Sequence, residues 1–175
     1  WKMQIPYLAR HCRVLTFDGR GNGRSDRPTE PDAYDESQFA ADAVAVLDAT
    51  ATDKAVIVSF SLGAQRALIL AAEHPERVGG GEALAERTEF DWEDELETDE
   101  GWAKYNKHYW LRDYQGFVEF FFSRFFTEPH STKPFEDCVG WALETTGETL
   151  VTAQYGVKPS PEEARELARR VSCPV

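Results

Sequence analysis

The residue of this sequence most able to do chemistry is a serine flanked by small residues. Ser61 stands within Ser59-Phe60-Ser61-Leu62-Gly63, after the apolar run 55–58 and before an apolar stretch with a helical pattern, 62–72. A sharp turn from a buried strand into a helix exposes a serine hydroxyl, and it needs small residues two positions before and after the serine. This is the geometry of a nucleophile elbow, and we call residues 59–63 the elbow. It predicts that Ser61 is a nucleophile and that the Leu62 N–H supplies half of an oxyanion hole.

A serine hydroxyl needs a base to remove its proton, usually a histidine oriented by a carboxylate. The four histidines are His11, His74, His108 and His130. His11 follows one predicted helix and His74 ends another, so surface or capping positions suit both. His108 lies in an aromatic segment and His130 in a loop after it. We expect none of them to hydrogen bond to Ser61. In enzymes with a nucleophile elbow, the catalytic histidine follows the serine and the acid along the chain.

A second motif, Asp18-Gly19-Arg20-Gly21-Asn22-Gly23-Arg24-Ser25-Asp26, follows a predicted strand at 13–17. We call residues 18–26 the glycine-rich loop. It matches neither G-x-G-x-x-G nor a P-loop, so we interpret it as a tight turn that buttresses the elbow. With the elbow a few dozen residues later, residues 1–78 resemble the α/β-hydrolase superfamily and its D-x-R-G-x-G-x-S loop. The resemblance implies hydrolysis of a small apolar ester or related acyl substrate through Ser61, with no cofactor and no metal.

The predicted elements alternate between strand and helix, which indicates an α/β fold with a parallel sheet and flanking helices. Strands are predicted at 13–17 and 55–58, and helices at 36–47, 62–72 and 161–170. The predicted organisation is a partial hydrolase core, an acidic loop, a helical aromatic cap insert and a return helix with the start of a further core strand. Their ranges are 1–78, 79–101, 102–157 and 158–175.

The insert, residues 102–157, is densely aromatic over 102–126. Residues 102–155 resemble the cap-like insert of actinobacterial α/β-hydrolases, including those joined to adenylate cyclase domains. Helical spacing places Trp102, Tyr105 and Tyr109 on one face, and it places Phe117, Phe121 and Phe125 on another. Two interpretations stay open. The aromatic face covers a pocket and selects an apolar substrate, or two amphipathic helices pack against each other.

Three glycines, 79–81, stand where the resemblance implies an apolar strand. Either the strand has been lost or a deletion joins the helix after the elbow directly to the insert, because consecutive glycines weaken a strand. An acidic run follows: Glu86, Glu89, Asp91, Glu93, Asp94, Glu95, Glu97, Asp99 and Glu100. We expect a hydrated, self-repelling surface loop there and not a metal site, because no ligand spacing stands out.

The composition limits the classes of partner that this protein is expected to bind. A net charge of −12 argues against nucleic acid and anionic membrane, since both repel an acidic surface. No apolar run approaches the roughly 20 residues of a membrane span. Cys12, Cys138 and Cys173 are odd in number and show no metal-ligand or redox spacing, so we expect free thiols and a cytoplasmic location.

The sequence opens on Trp1, in the tail of a predicted helix, and closes on Ser172-Cys173-Pro174-Val175, which looks like the start of a strand. We therefore expect the middle of a hydrolase, inactive by itself, with the second oxyanion donor, the acid and the histidine outside these residues. Two alternatives stay open. One is a non-catalytic module that binds a small apolar ligand and reports to a fused signalling domain. The other is an acyltransferase that uses the same nucleophile.

Overall fold

The computed structural model describes residues 1–79, 92–126, 128 and 130–173. The α-helices within these ranges are α1 (Gln4–Leu8), α2 (Glu36–Ala49), α3 (Leu62–Glu73), α4 (Lys107–Arg112), α5 (Tyr114–Ser123), α6 (Thr132–Ala142), α7 (Gly147–Gln154) and α8 (Pro161–Arg170). Short 3-10 helices lie at Pro31–Tyr34 and Gly101–Lys104. The three helices predicted in the core portion and after the insert are confirmed, because α2, α3 and α8 begin at the predicted residues.

The two predicted strands are non-helical, and β-pairing within the described ranges consists of one parallel bridge, between Ala55 and Val78. Ala55 N–H donates to the Arg77 carbonyl at 2.9 Å, and Gly79 N–H donates to the Ala55 carbonyl at 2.8 Å. The bridge joins the segment before the elbow to the segment after α3. Parallel pairing is expected where a helix crosses from one strand to the next. The wider parallel sheet remains a prediction.

The segment that leads into the elbow has the side-chain alternation of a strand. Val56, Val58 and Phe60 are 70%, 63% and 75% exposed, whereas Ile57 packs against the buried core. Successive side chains of an extended chain point to opposite faces, so every second residue shares an environment. The segment predicted as a buried strand is therefore extended, but the prediction of burial is wrong for the face that carries Val56 and Val58.

The first hydrophobic core is built around α3. This helix packs against α2 on one side and α8 on the other. The buried residues of the cluster are Ala40, Ile69, Leu70, Ala71 and Val78. Small and branched apolar side chains surround α3 on several faces, which agrees with an apolar pattern that runs nearly all round the helix.

The second hydrophobic core lies inside the insert, between α4, α5 and α7. Its buried residues are Tyr109, Trp110, Phe117, Val118 and Val151. The rings of Trp110 and Phe117 lie 4.4 Å apart between centroids. Aromatic side chains thus hold the insert together, as in the interpretation of mutual helix packing. Among the described residues of the insert, four aromatic side chains remain about half exposed: Trp102, Phe125, Trp141 and Tyr155.

The prediction that Trp102, Tyr105 and Tyr109 share one helical face is wrong. Trp102 lies in the 3-10 helix, and α4 starts afresh after Asn106. The Asn106 side chain accepts hydrogen bonds from the N–H groups of His108 and Tyr109, which is the standard cap of a new helix. Tyr105 instead packs edge-on against the Trp110 ring of the second core, with 5.1 Å between the ring centroids.

The acidic segment is held against the insert. Residues 92–100 are mostly exposed, as expected, but Glu93 pairs with Lys107 at 2.6 Å and Asp99 pairs with Arg112 at 2.5 Å. Hydrogen bonds from Lys107 and Tyr155 to the Glu93 carboxylate lower the pKa of Glu93. The second and third glycines of the run, together with Glu86, Glu89 and Asp91, fall outside the described residues.

Candidate functional site

Ser61 has a backbone conformation that side-chain-bearing residues rarely adopt. Its φ is +56° and its ψ is −126°, and α3 begins at the next residue. Such a conformation costs about 1–3 kcal/mol and persists only where the surrounding structure imposes it. The sharp turn predicted at Ser61, between an extended segment and a helix, is confirmed.

The residues two positions either side of Ser61 face each other. A Cβ built on Gly63 would lie 3.5 Å from the Cβ of Ser59, an ordinary van der Waals distance. The turn therefore accommodates the small side chain of Ser59 in place of the glycine usual at that position. A bulky side chain at either position would meet the other arm of the turn.

The Ser61 hydroxyl is not used to cap α3. Serine before a helix commonly accepts a hydrogen bond from a backbone N–H of the first turn, but the Ser61 side chain makes no such bond and is exposed. The N–H groups of Gly63 and Ala64 donate to the carbonyls of Phe60 and Ser61, at 3.0 and 2.8 Å. Among the described residues no acceptor contacts the Leu62 N–H. A hydroxyl and a free N–H are thus presented together.

The histidines are placed elsewhere. His108 Nε2 lies 3.0 Å from the Glu93 carbonyl oxygen, and His74 Nδ1 lies 3.8 Å from a carboxylate oxygen of Glu76. His11 packs edge-on against the ring of Tyr7. These three residues and His130 are all described, and none of them hydrogen bonds to the serine of the elbow. Within the described ranges, Ser61 therefore has no histidine placed as a base.

The glycine-rich loop is a tight turn that is tied to α2. Gly21 and Gly23 have φ of +82° and +48°, and a Cβ on Gly23 would lie 2.3 Å from an Asp18 carboxylate oxygen. That carboxylate accepts a hydrogen bond from the Arg24 N–H at 3.0 Å. The Arg20 guanidinium donates twice to the carboxylate of Asp42, at 2.7 and 2.6 Å. The charges of Asp18 and Arg20 shape the turn and tie it to α2, which fits a structural turn better than a phosphate site.

This loop also carries part of the insert, which the sequence did not reveal. The buried Thr145 hydroxyl donates to the Gly21 carbonyl at 2.5 Å. Arg27 donates to the Glu144 carbonyl. A Cβ on Gly21 would also lie 3.2 Å from the Thr149 side chain. The insert therefore rests on the glycine-rich loop, in addition to any support that the loop gives the elbow.

A buried ion pair joins α3 to α2. Arg66, one turn after the elbow, donates to the Glu36 carboxylate at 2.7 Å, and its guanidinium stacks over the ring of Phe39. Sequence analysis missed both charged residues. The available signal was a single basic residue in an otherwise apolar stretch of α3.

A cavity of about 350 Å³ lies between the start of α2, the second half of α3 and α8. Its lining includes Ile69, Glu73, Val157 and Leu167. The cavity lies along the half of α3 that is farther from Ser61.

Outside this cavity, in the insert, burial and the neighbouring carboxylate of Asp137 raise the pKa of the Cys138 thiol.

Within the described ranges, no cluster of histidine, cysteine and acidic residues has a geometry that could hold a metal ion. Of the helices described, none is both long and apolar enough to cross a membrane.

Comparison with known proteins gives a consistent picture. A model of the alpha/beta hydrolase fold matches residues 1–167. The 2-hydroxymuconate semialdehyde hydrolase of Pseudomonas sp. is 41% identical over 78 residues, which cover 45% of this chain and 27% of that protein. Epoxide hydrolase B of Mycobacterium tuberculosis is 38% identical over 81 residues, which cover 46% of this chain and 23% of that protein. The chain thus spans about a quarter of the length of these two relatives.

Among solved structures, a hydrolase from Pseudomonas aeruginosa PA01 superposes with a TM-score of 0.70 at 24% sequence identity. The match covers 99% of this chain and 63% of the hydrolase chain. At that level of identity the superposition demonstrates a shared fold. It extends through the insert as well as the core portion.

Proposed function

Because this chain belongs to the alpha/beta hydrolase fold family, we propose that it carries the nucleophile, Ser61, of a hydrolase that cleaves an ester or a related acyl bond. The observation that carries the proposal is the backbone of Ser61, with φ +56° directly before α3. Strain of this kind is kept where function requires it. Ser61 is exposed and its hydroxyl caps no helix, so the hydroxyl is available to a substrate.

The proposed chemistry is acyl transfer to serine and then to water. The Ser61 oxygen attacks the carbonyl carbon, its proton passes to a base, and the carbonyl oxygen becomes an oxyanion. The Leu62 N–H, which meets no acceptor within the described ranges, donates to that oxyanion. The bond to the leaving alcohol then breaks as the alcohol takes up the proton. Water releases the acid from the acyl-enzyme by the same steps.

The base and its carboxylate are proposed to lie outside these 175 residues. None of the four histidines hydrogen bonds to Ser61, and His108 is engaged by the Glu93 carbonyl. The family resemblance implies a histidine in a late loop of the fold. The second oxyanion donor is also proposed to lie outside the chain, because the family resemblance implies that it follows a strand that precedes the glycine-rich loop and the strand before it.

The insert is proposed to act as a cap that favours a small apolar substrate. Its aromatic core holds the insert together, and the ring side chains that it leaves about half exposed include Trp102 and Phe125 as well as Trp141 and Tyr155. Apolar and aromatic linings are typical of small-molecule pockets. The relatives named above act on a semialdehyde and on epoxides, so the substrate of this chain is not carried over from either.

The test is labelling with a fluorophosphonate probe in the protein that carries this chain. We expect Ser61→Ala to abolish labelling and Ser59→Ala to retain it, because the second variant removes a neighbouring hydroxyl and keeps the nucleophile. Labelling that persists in Ser61→Ala would place the nucleophile elsewhere. An unlabelled wild-type protein that still binds apolar ligands would support the non-catalytic module instead.

A further inference from the structure

A short series of hydrogen bonds joins the helix after the elbow to the end of the insert. Arg66 on α3 donates to both oxygens of Glu36, from Nε at 2.7 Å and from Nη2 at 3.4 Å. The Glu36 N–H donates to the Val157 carbonyl at 3.0 Å. The Val157 N–H donates to the Asp35 carboxylate at 2.6 Å. Val157, the last residue of the insert, is therefore held by two residues at the start of α2.

The ion pair at the centre of this series is buried on its carboxylate side and is oriented. The Glu36 side chain is 3% exposed and that of Arg66 is 31% exposed. The Arg66 guanidinium carbon lies 3.5 Å from the centroid of the Phe39 ring, which is itself buried. A planar guanidinium held by a carboxylate on one edge and a ring on one face has little freedom to reorient.

Stability alone is a weak explanation for such a pair. Removing two charges from water is costly, and well-packed apolar residues of similar volume are often as stable. What a buried, forked ion pair provides is a defined geometry between the elements it joins. Here those elements are α3, which begins at the elbow, and α2, which holds the end of the insert.

We propose that Arg66 is a positioning residue: through Glu36 and Val157 it sets where the insert ends relative to Ser61, and so how large an acyl group the site accepts. The inference rests on the proposed function, in which the insert covers the acyl site. Arg66 acts through Glu36 and touches no substrate. It lies about 7–8 Å along the helix axis from Ser61, given a rise of about 1.5 Å per residue.

The first experiment compares two fluorophosphonate probes, one with a methyl group and one with a long alkyl chain, on the protein that carries this chain. We expect Arg66→Met to slow labelling by the long probe roughly tenfold more than labelling by the methyl probe. A displaced insert alters how the long alkyl group of the probe fits, whereas it leaves the position of Ser61 itself largely unchanged. Arg66→Lys keeps the charge but loses the planar fork, and we expect an intermediate effect. Equal slowing of both probes would overturn the proposal.

The matched control is Arg77→Met. Arg77, four residues after the end of α3, also pairs with α2, at 2.7 Å from Asp48, which lies at the opposite end of α2 from Glu36. We expect this variant to leave the ratio of the two labelling rates unchanged. A ratio that shifts as much in Arg77→Met as in Arg66→Met would show that any loss of α2–α3 pairing suffices, and it would overturn the role of Arg66.

The second experiment does not depend on Ser61 being a nucleophile. Amide hydrogen exchange should rise at the Val157 and Glu36 amides in Arg66→Met while the amides of α5 exchange as in the wild type. Unchanged exchange at both amides would overturn the proposal whether or not the labelling test succeeds. If Ser61→Ala keeps its labelling but the two amides respond, the proposed nucleophile fails and the coupling of α3 to the insert stands.

Discussion

The backbone of Gly156 lies directly against the carbonyl group of Tyr34. A Cβ at residue 156 would be 2.1 Å from the Tyr34 oxygen and 2.4 Å from its carbon. The contact partner is backbone, so it cannot move aside as a flexible side chain would. Together with the neighbouring hydrogen bonds of Val157, this contact fixes the end of the insert on the start of α2.

We therefore expect Gly156→Ala to lower the free energy of unfolding by about 1–3 kcal/mol, because the new methyl group forces the two backbones apart. Gly140→Ala is the matched control. Gly140 lies inside α6 with nothing within 4 Å of a Cβ, so alanine there should raise the free energy of unfolding by about 0.5–1 kcal/mol. Urea unfolding measures both. Similar values for the two variants would contradict the close contact.

The strain at Ser61 can be measured by removing the hydroxyl in two ways. We expect Ser61→Gly to have a free energy of unfolding about 1 kcal/mol higher than Ser61→Ala, because glycine adopts positive φ without a steric penalty. The same two substitutions at Ser123, in the last turn of α5, should give the opposite order, because alanine favours a helix. An alanine variant more stable than the glycine variant at Ser61 would argue against the elbow conformation.

A pH-dependent prediction concerns Tyr114 on α5. Its hydroxyl donates to the Ala142 carbonyl at 3.1 Å, and burial raises the pKa of Tyr114 from 10.0 to about 12. The unfolded chain loses this proton first as the pH rises. The contribution of the protonated Tyr114 side chain to the free energy of unfolding is therefore complete below the unfolded pKa of about 10. This contribution is lost as the pH approaches 12.

We expect the free energy of unfolding of the wild-type chain to fall more steeply between these two pH values than that of Tyr114→Phe, which has no proton to lose there. Urea unfolding at a series of pH values measures the two slopes. The phenylalanine variant also lacks the donor to Ala142, so its curve starts lower, but that offset does not alter its slope. Parallel curves would contradict the raised pKa.

The sequence allowed the helices of the first core and the elbow to be predicted, because their signals are local. The apolar pattern of α3 follows directly from its burial between α2 and α8. The conformation of Ser61 could be predicted because small residues two positions away permit the turn. The start of α8 was predictable from Pro161 and the acidic residues after it, and Ser160 with Glu163 completes a capping box there.

Contacts between distant segments could not be predicted from the same signals. Thr145 and Gly21 are 124 residues apart, and nothing in the composition of either segment indicates the hydrogen bond that joins them. The break before α4 was also missed, because helical spacing of aromatic residues says nothing about where the backbone is capped. Asn106 decides that break through its side chain. Arg66, the single basic residue of the largely apolar α3, was a signal that pattern analysis left unused.

The last prediction concerns the activity of the 175-residue chain by itself. We expect it to hydrolyse p-nitrophenyl acetate at no more than a residual rate. A serine enzyme without its base and acid retains only about 10³–10⁴-fold acceleration over water, from binding and the oxyanion hole. Here the described histidines are engaged elsewhere or form no hydrogen bond to Ser61, as His108 is held by the Glu93 carbonyl. Spectrophotometric assays of the purified chain, with Ser61→Ala as the blank, measure this rate.

The controls are the two histidines of the insert. His108→Ala and His130→Ala should leave the residual rate unchanged. A rapid turnover that either histidine substitution removes would place the base within this chain, and it would require the site to close around Ser61 by a movement of the insert.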